Sequence, residues 1–215
     1  MPSSSDILAP PLTSPGQRRL ILAALIWIVL SATSQTSGFQ HIERLSFDWL
    51  STLSPPTPED TPVLLVGVDE PSLAEIGLQW PWPRHLHARL IERLNAAGAK
   101  LVALDFIFAE PSSFDADQAF AKAIAEAGNV VLAADLVVEE TPYTTQIIRV
   151  EPIAALVAAG AQTGIAAIHP DGDSVLRRIP TYDDGFARVI LDRWLAATGK
   201  SFASSPVPGQ RLQYF

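Results

Sequence analysis

The apolar positions of this chain change their spacing three times, and each change marks a different kind of element. Leu20 to Leu30 is an unbroken apolar run preceded by Arg18 and Arg19. A helix crossing a bilayer needs about 17 to 25 mostly apolar residues, so a span here recruits Ser31, Ala32 and Thr33 and occupies residues 18–38. Short hydroxyl side chains fit such a span because they bond back to carbonyls of their own helix. A cleaved signal peptide fits the same pattern, since its apolar core ends at small residues such as Ser31-Ala32-Thr33-Ser34. Either reading exports the residues downstream of it, and with Arg18 and Arg19 retained on the cytoplasmic side the main part of the chain faces outward.

Next, Phe39, Ile42, Leu45, Trp49, Leu50 and Leu53 recur at helical spacing. They predict that the anchor runs on as an amphipathic helix until the stop Ser54-Pro55-Pro56-Thr57-Pro58, making residues 39–58 a juxtamembrane segment. Its apolar stripe is expected to pack on the downstream domain, with a second copy of the chain as the alternative partner.

From residue 59 the pattern alternates. Val63 to Val68 and Leu101 to Phe108 are short β-rich runs that read as buried strands. Between them Pro83 opens a helix carrying Leu86, Leu90, Ile91 and Leu94 on one face, and Gly98 ends it. Asp115 or Asp117 then caps a helix with apolar positions Ala119, Phe120, Ala123, Ile124 and Ala127, and Val130 to Ala134 is the next strand. Pro152–Ala159 reads as a short helix, Thr163–Ile168 as a strand, Arg188–Thr198 as a helix, and Arg211–Phe215 as the start of one more strand. Strands alternating with helices predict βαβ units, so the fold class is α/β with a mainly parallel sheet behind an N-terminal transmembrane helix.

Composition narrows the function. Residues 1–17 hold four prolines and four serines without apolar periodicity and read as a disordered cytoplasmic tail. The net charge of −8, with 15 scattered basic residues, argues against a nucleic-acid partner. Cysteine is absent, which removes disulfides and thiolate chemistry. There is no P-loop, no G-x-G-x-x-G after a strand, no G-x-S-x-G and no H-E-x-x-H, so neither a cofactor nor a catalytic motif is expected. His85 and His87 are two apart, His41 and His169 stand alone, and all four read as exposed or loop histidines.

Candidate binding chemistry gathers where carboxyl ends of parallel strands are expected. Asp69 and Asp105 close two strands joined by one crossover and are expected to be neighbours, with Glu70, Glu110, Asp115 and Asp117 on the same rim. Paired carboxylates can hold a hard cation or act as acid and base, which defines one alternative function, an exported metal-assisted hydrolase using Asp69 and Asp105. The plainer reading is that these acids cap helices and order loops. Trp80-Pro81-Trp82-Pro83-Arg84 is an ordered aromatic loop. Its rings and Arg84 can cradle a ligand by stacking and charge, or they can lock the loop to the core, with Arg84 pairing to Asp69 or Asp105.

The succession Val66-Gly67-Val68-Asp69-Glu70-Pro71-Ser72-Leu73, Gly77, Trp80-Pro81-Trp82-Pro83-Arg84 and Ala103-Leu104-Asp105-Phe106-Ile107-Phe108 resembles the CHASE2 family. Phe47-Asp48, Asp115-Ala116-Asp117, Gly164 and Asp171-Gly172-Asp173-Ser174-Val175-Leu176-Arg177-Arg178-Ile179-Pro180 extend the likeness over about residues 40 to 200. The resemblance implies an extracytoplasmic sensor domain of a bacterial membrane receptor, behind an uncleaved anchor, with no catalytic activity of its own. It implies an unknown extracytoplasmic stimulus as ligand and membrane lipid as the partner of the N-terminal helix. Asp69, Glu70, Trp80, Trp82, Arg84 and Asp105 are the expected ligand-binding residues, within a sensor domain over residues 59–215. Family members continue into further sheet, transmembrane helices and an effector, so a chain stopping at Gln213-Tyr214-Phe215 is expected to be a fragment or a truncated gene product.

Overall fold

The computed structural model describes residues 15–53 and 62–201. The predicted Pro-rich stop at 54–58, the terminal strand at 211–215 and most of the N-terminal tail lie outside the described residues.

Two helices form the first unit. Helix α1 (Pro15–Ser34) starts on a proline, a residue suited to a first turn that lacks N–H partners. The helix therefore begins three residues ahead of residue 18, where the span was expected to start. Gly16–Ser34 is long and apolar enough to cross a membrane. Near its end Thr33 Oγ1 donates to the Leu30 carbonyl at 2.9 Å and Ser34 Oγ to the Ser31 carbonyl at 2.8 Å, the back-bonding that lets hydroxyls sit in an apolar helix.

Helix α1 does not run on unbroken into the next helix. Gln35 and Thr36 make a turn, and Thr36 Oγ1 accepts from the Phe39 N–H at 3.4 Å to cap α2 (Ser37–Leu53). Phe39, Ile42, Leu45, Trp49, Leu50 and Leu53 are all exposed along α2.

The second unit is the α/β domain. It contains α3 (Glu70–Ile76), α4 (Arg84–Ala96), β1 (Val102–Ile107), α5 (Phe114–Ala127), β2 (Val130–Glu140), β3 (Thr145–Val150), α6 (Ala154–Ala158), β4 (Gln162–Ile165) and α7 (Phe186–Thr198). β2 lies between β1 and β4, parallel to both, with Leu104 opposite Leu132 and Ala133 opposite Gly164. Its far half leaves this sheet and forms an antiparallel hairpin with β3, pairing Asp135 with Val150 through to Glu140 with Thr145. The class is therefore α/β with a mainly parallel sheet.

Helices cover both faces of β2. Ile91 of α4, Phe120 and Ile124 of α5, and Leu156 of α6 meet Val102, Leu104, Val130 and Leu132 in one core. Each such side chain contributes about 1.5–3 kcal/mol when fully buried, and Ile91, Phe120, Leu132 and Leu156 are all 0% exposed. On the other face α7 packs over β4 and β2. Gly164 permits that approach, because a Cβ there would stand 2.7 Å from the Phe186 Cα.

The run Val63–Val68 departs from expectation. Among the described residues it forms no ladder, and Val63, Leu64 and Leu65 are 74%, 82% and 90% exposed. A continuous apolar run signals burial only if a neighbour pairs with it, and β1 is paired through β2 alone among the described strands. Two further elements escape the sequence pattern: the short helix α3, and β3 with its hairpin.

Candidate functional site

The Trp-Pro loop sits between α3 and α4. Gly77 ends α3 in the left-handed region at φ 66°, a conformation that favours glycine. The chain then passes a cis Trp80–Pro81 bond, and Pro83 directly precedes the first turn of α4. Trp82 Nε1 donates to the Leu78 carbonyl at 3.2 Å, closing the loop on itself. The Trp80 ring lies 5.5 Å from that of Trp82 and 5.2 Å from Phe106 on β1. Trp80 nevertheless keeps 43% of its surface exposed, so it forms both a lid on the core and an open aromatic face.

Arg84 is buried, and neither expected partner holds it. Its Nη1 is 3.1 Å from Asp117 Oδ1 on α5, its Nη2 donates to the Glu110 carbonyl, and its guanidinium stands 5.3 Å over the Phe108 ring. Asp117 Oδ2 accepts from the Ser112 N–H at 3.0 Å. The pair therefore clamps the β1–α5 connection between the starts of two helices, and the pairing with Asp69 or Asp105 is corrected. Ser113, not Asp115 or Asp117, caps α5, accepting from the Ala116 N–H; Asp117 is available to Arg84 because the cap lies four residues earlier.

His87, read from sequence as exposed, is only 5% exposed. It is ringed by Trp80 at 6.3 Å, Phe106 at 5.9 Å, Phe108 at 5.2 Å and Phe120 at 5.9 Å between ring centroids. Its Nδ1 is buried without a hydrogen-bond partner. Burial holds the imidazole below its ordinary range; the Arg84 charge acts in the same direction and the Pro83 carbonyl opposes both. The spacing Arg84, His87, Ala88, Ile91 marks one buried face of α4, and that spacing was the sequence signal for His87.

The carboxylates are placed apart in role. Asp69 caps α3, its Oδ1 accepting from the Ser72 N–H at 3.0 Å and from the Ser72 hydroxyl. Those bonds hold its carboxyl below the usual range. Glu70 is exposed in the first turn of α3, and Asp105 is exposed on β1. With Val63–Val68 outside the sheet, the expected strand-end pairing of Asp69 with Asp105 has no ladder to create it. Among the described residues no group of three or more His, Asp or Glu is arranged to hold a metal ion.

A second polar centre lies after β4. Arg177, 4% exposed, donates through Nη1 to Asp171 Oδ2 at 3.0 Å and Asp173 Oδ1 at 2.8 Å, and through Nη2 to Asp173 Oδ2 at 2.8 Å. This fork fixes the turn 171–177, in which Ser174 takes φ 64°. Arg177 also drives the Asp173 carboxyl well below the carboxylate range.

The CHASE2 domain model matches residues 21–205, from within α1 through α7. Neither a curated protein nor a solved structure matches the chain. CHASE2 is a family of sensory, extracytoplasmic domains and not of catalytic ones, and this chain belongs to the CHASE2 family.

Proposed function

We propose that the chain is the input region of a bacterial transmembrane receptor, held in the cell membrane by α1 with its α/β domain facing the periplasm or exterior. A stimulus binding there shifts the population between two arrangements of the domain, and the change passes to an effector carried outside residues 1–215. The observation that carries this reading is the CHASE2 match over residues 21–205, which takes in most of an apolar helix of spanning length and the α/β domain together.

On this reading residues 1–17 are the cytoplasmic tail, 18–38 the anchor in contact with lipid, 39–58 the juxtamembrane segment and 59–215 the sensor domain. The exposed apolar stripe of α2 supports a homodimer contact beside the membrane. The ligand-facing residues are Trp80 and Trp82, with Asp69, Glu70 and Asp105 as exposed acids. Arg84 holds the loop that presents the tryptophans. Alkaline phosphatase fused after Lys200 is expected to be active, and green fluorescent protein fused there dark. The reverse pattern overturns the proposal.

A further inference from the structure

His87 combines three properties that seldom meet in one side chain. It is buried in the aromatic core, its Nδ1 has no hydrogen-bond partner, and its neighbours include the part-exposed loop residue Trp80. The groups around it are mostly without charge. Trp80 from the loop, Phe106 and Phe108 from β1 and its end, and Phe120 from α5 meet the ring. The charged groups at this junction are Arg84, one turn earlier on α4, and Asp117, which faces Arg84 from α5. Asp117 is already committed to Arg84 and to the Ser112 N–H.

We propose that His87 is a proton-operated latch, and that acidification outside the cell protonates it and releases the Trp80–Trp82 loop from the α4–β1–α5 core. A doubly protonated imidazole needs an acceptor for each N–H; Nδ1 makes no hydrogen bond in the closed box, and the Pro83 carbonyl favours the charged ring less than burial opposes it. Protonation would also place a second cation beside Arg84. An opened loop admits water to the ring, which solvates its N–H groups and screens the Arg84 charge, and so lowers both penalties. A proton therefore binds the open arrangement more tightly than the closed one, which is the differential affinity that a stimulus must have. Histidine suits this role because its ordinary titration lies near pH 6.5. The inference deepens the sensory reading by naming a stimulus, and its importance as a signal rests on that reading, whereas the latch itself is a property of the isolated chain.

The test uses the full chain in lipid nanodiscs. Deuterium exchange of the segment 78–91, corrected for the intrinsic effect of pH, is followed from pH 7.5 to 4.5. NMR records the titration of the His87 ring in the same samples. The expected result is a rise in opening of up to about tenfold per pH unit below pH 6.5, with its midpoint at the His87 titration, and loss of that rise in His87→Phe. Unchanged exchange across the range, a His87 titration without loop opening, or the same acid response in a folded His87→Phe protein overturns the latch. Should His87→Phe fail to fold, the coincidence or divergence of the two wild-type midpoints decides. Failure here leaves the topology fusions unaffected, so the two proposals fall separately.

Discussion

Arg84 on α4 and Asp117 on α5 meet at 3.1 Å with side chains only 9% and 11% exposed, and between them they hold the connection from β1 to α5. Breaking a buried pair from one side leaves an uncompensated charge, which costs about 3–5 kcal/mol. Arg84→Ala is therefore expected to lower unfolding stability by about 3 kcal/mol or more. Arg84→Met combined with Asp117→Leu is expected to cost less than either single change. Urea denaturation of the parent, the two single variants and the double variant checks this.

Gly164 gives a sharper packing test. Its missing side chain admits Phe186 at the start of α7, and a Cβ would meet that backbone at 2.7 Å. Gly164→Ala is expected to destabilise the domain by about 1–3 kcal/mol, the usual range for overpacking. Gly67→Ala, where nothing lies within 4 Å, is expected to stay within about 0.5 kcal/mol of the parent. Thermal unfolding monitored by circular dichroism distinguishes the two.

The buried imidazole sets a pH dependence of known sign. The folded state holds His87 below its ordinary value, while the unfolded chain takes up a proton at about pH 6.5. Stability from this group is complete above that pH. It declines as the pH falls from 6.5 towards the lowered folded value, by at most about 1.4 kcal/mol per pH unit. Urea midpoints between pH 8 and 5 measure it, and His87→Phe is expected to flatten the slope.

The turn at 171–177 depends on a different charge. Arg177→Ala leaves Asp171 and Asp173 facing each other without their shared cation, and the turn is expected to become protease-sensitive. Arg177→Lys is expected to restore it only in part, because an ammonium cannot make the two-pronged contact with Asp173. The Asp173 carboxyl is depressed, so its contribution is present above the unfolded value near 3.9 and is lost as the pH falls through the lower folded one. Limited proteolysis at pH 7 reads the two substitutions, and at pH 3 it reads only the first part of the acid loss, because the folded Asp173 carboxyl stays ionised there.

Much of this fold was legible where apolar spacing and burial coincide. Leu90, Ile91 and Leu94 marked α4, Phe120 and Ile124 marked α5, and Val130–Ala134 marked the buried half of β2. Val63–Val68 has the same local chemistry as those strands but has no pairing partner among the described residues, and pairing is a property of the sheet and not of the run. The hairpin half of β2 and β3 was missed because its exposed Val137, Val138, Ile147 and Ile148 follow no core periodicity. At the candidate site the Trp-Pro loop stood out by composition. The Arg84 partner, 33 positions away at Asp117, depends on how two helices cross, and the burial of His87 was masked by its polar identity despite its place on the Arg84–Ala88–Ile91 face.

The central claim is that α1 spans the membrane and the α/β domain stands outside. Because the chain has no native cysteine, single replacements report sidedness without background. Ser3→Cys in the tail and Glu92→Cys on the exposed side of α4 are to be probed in intact spheroplasts with a membrane-impermeant maleimide. The expected result is labelling of the Glu92→Cys protein at once and of the Ser3→Cys protein only after lysis; labelling of Ser3→Cys alone, or of neither before lysis, contradicts the account.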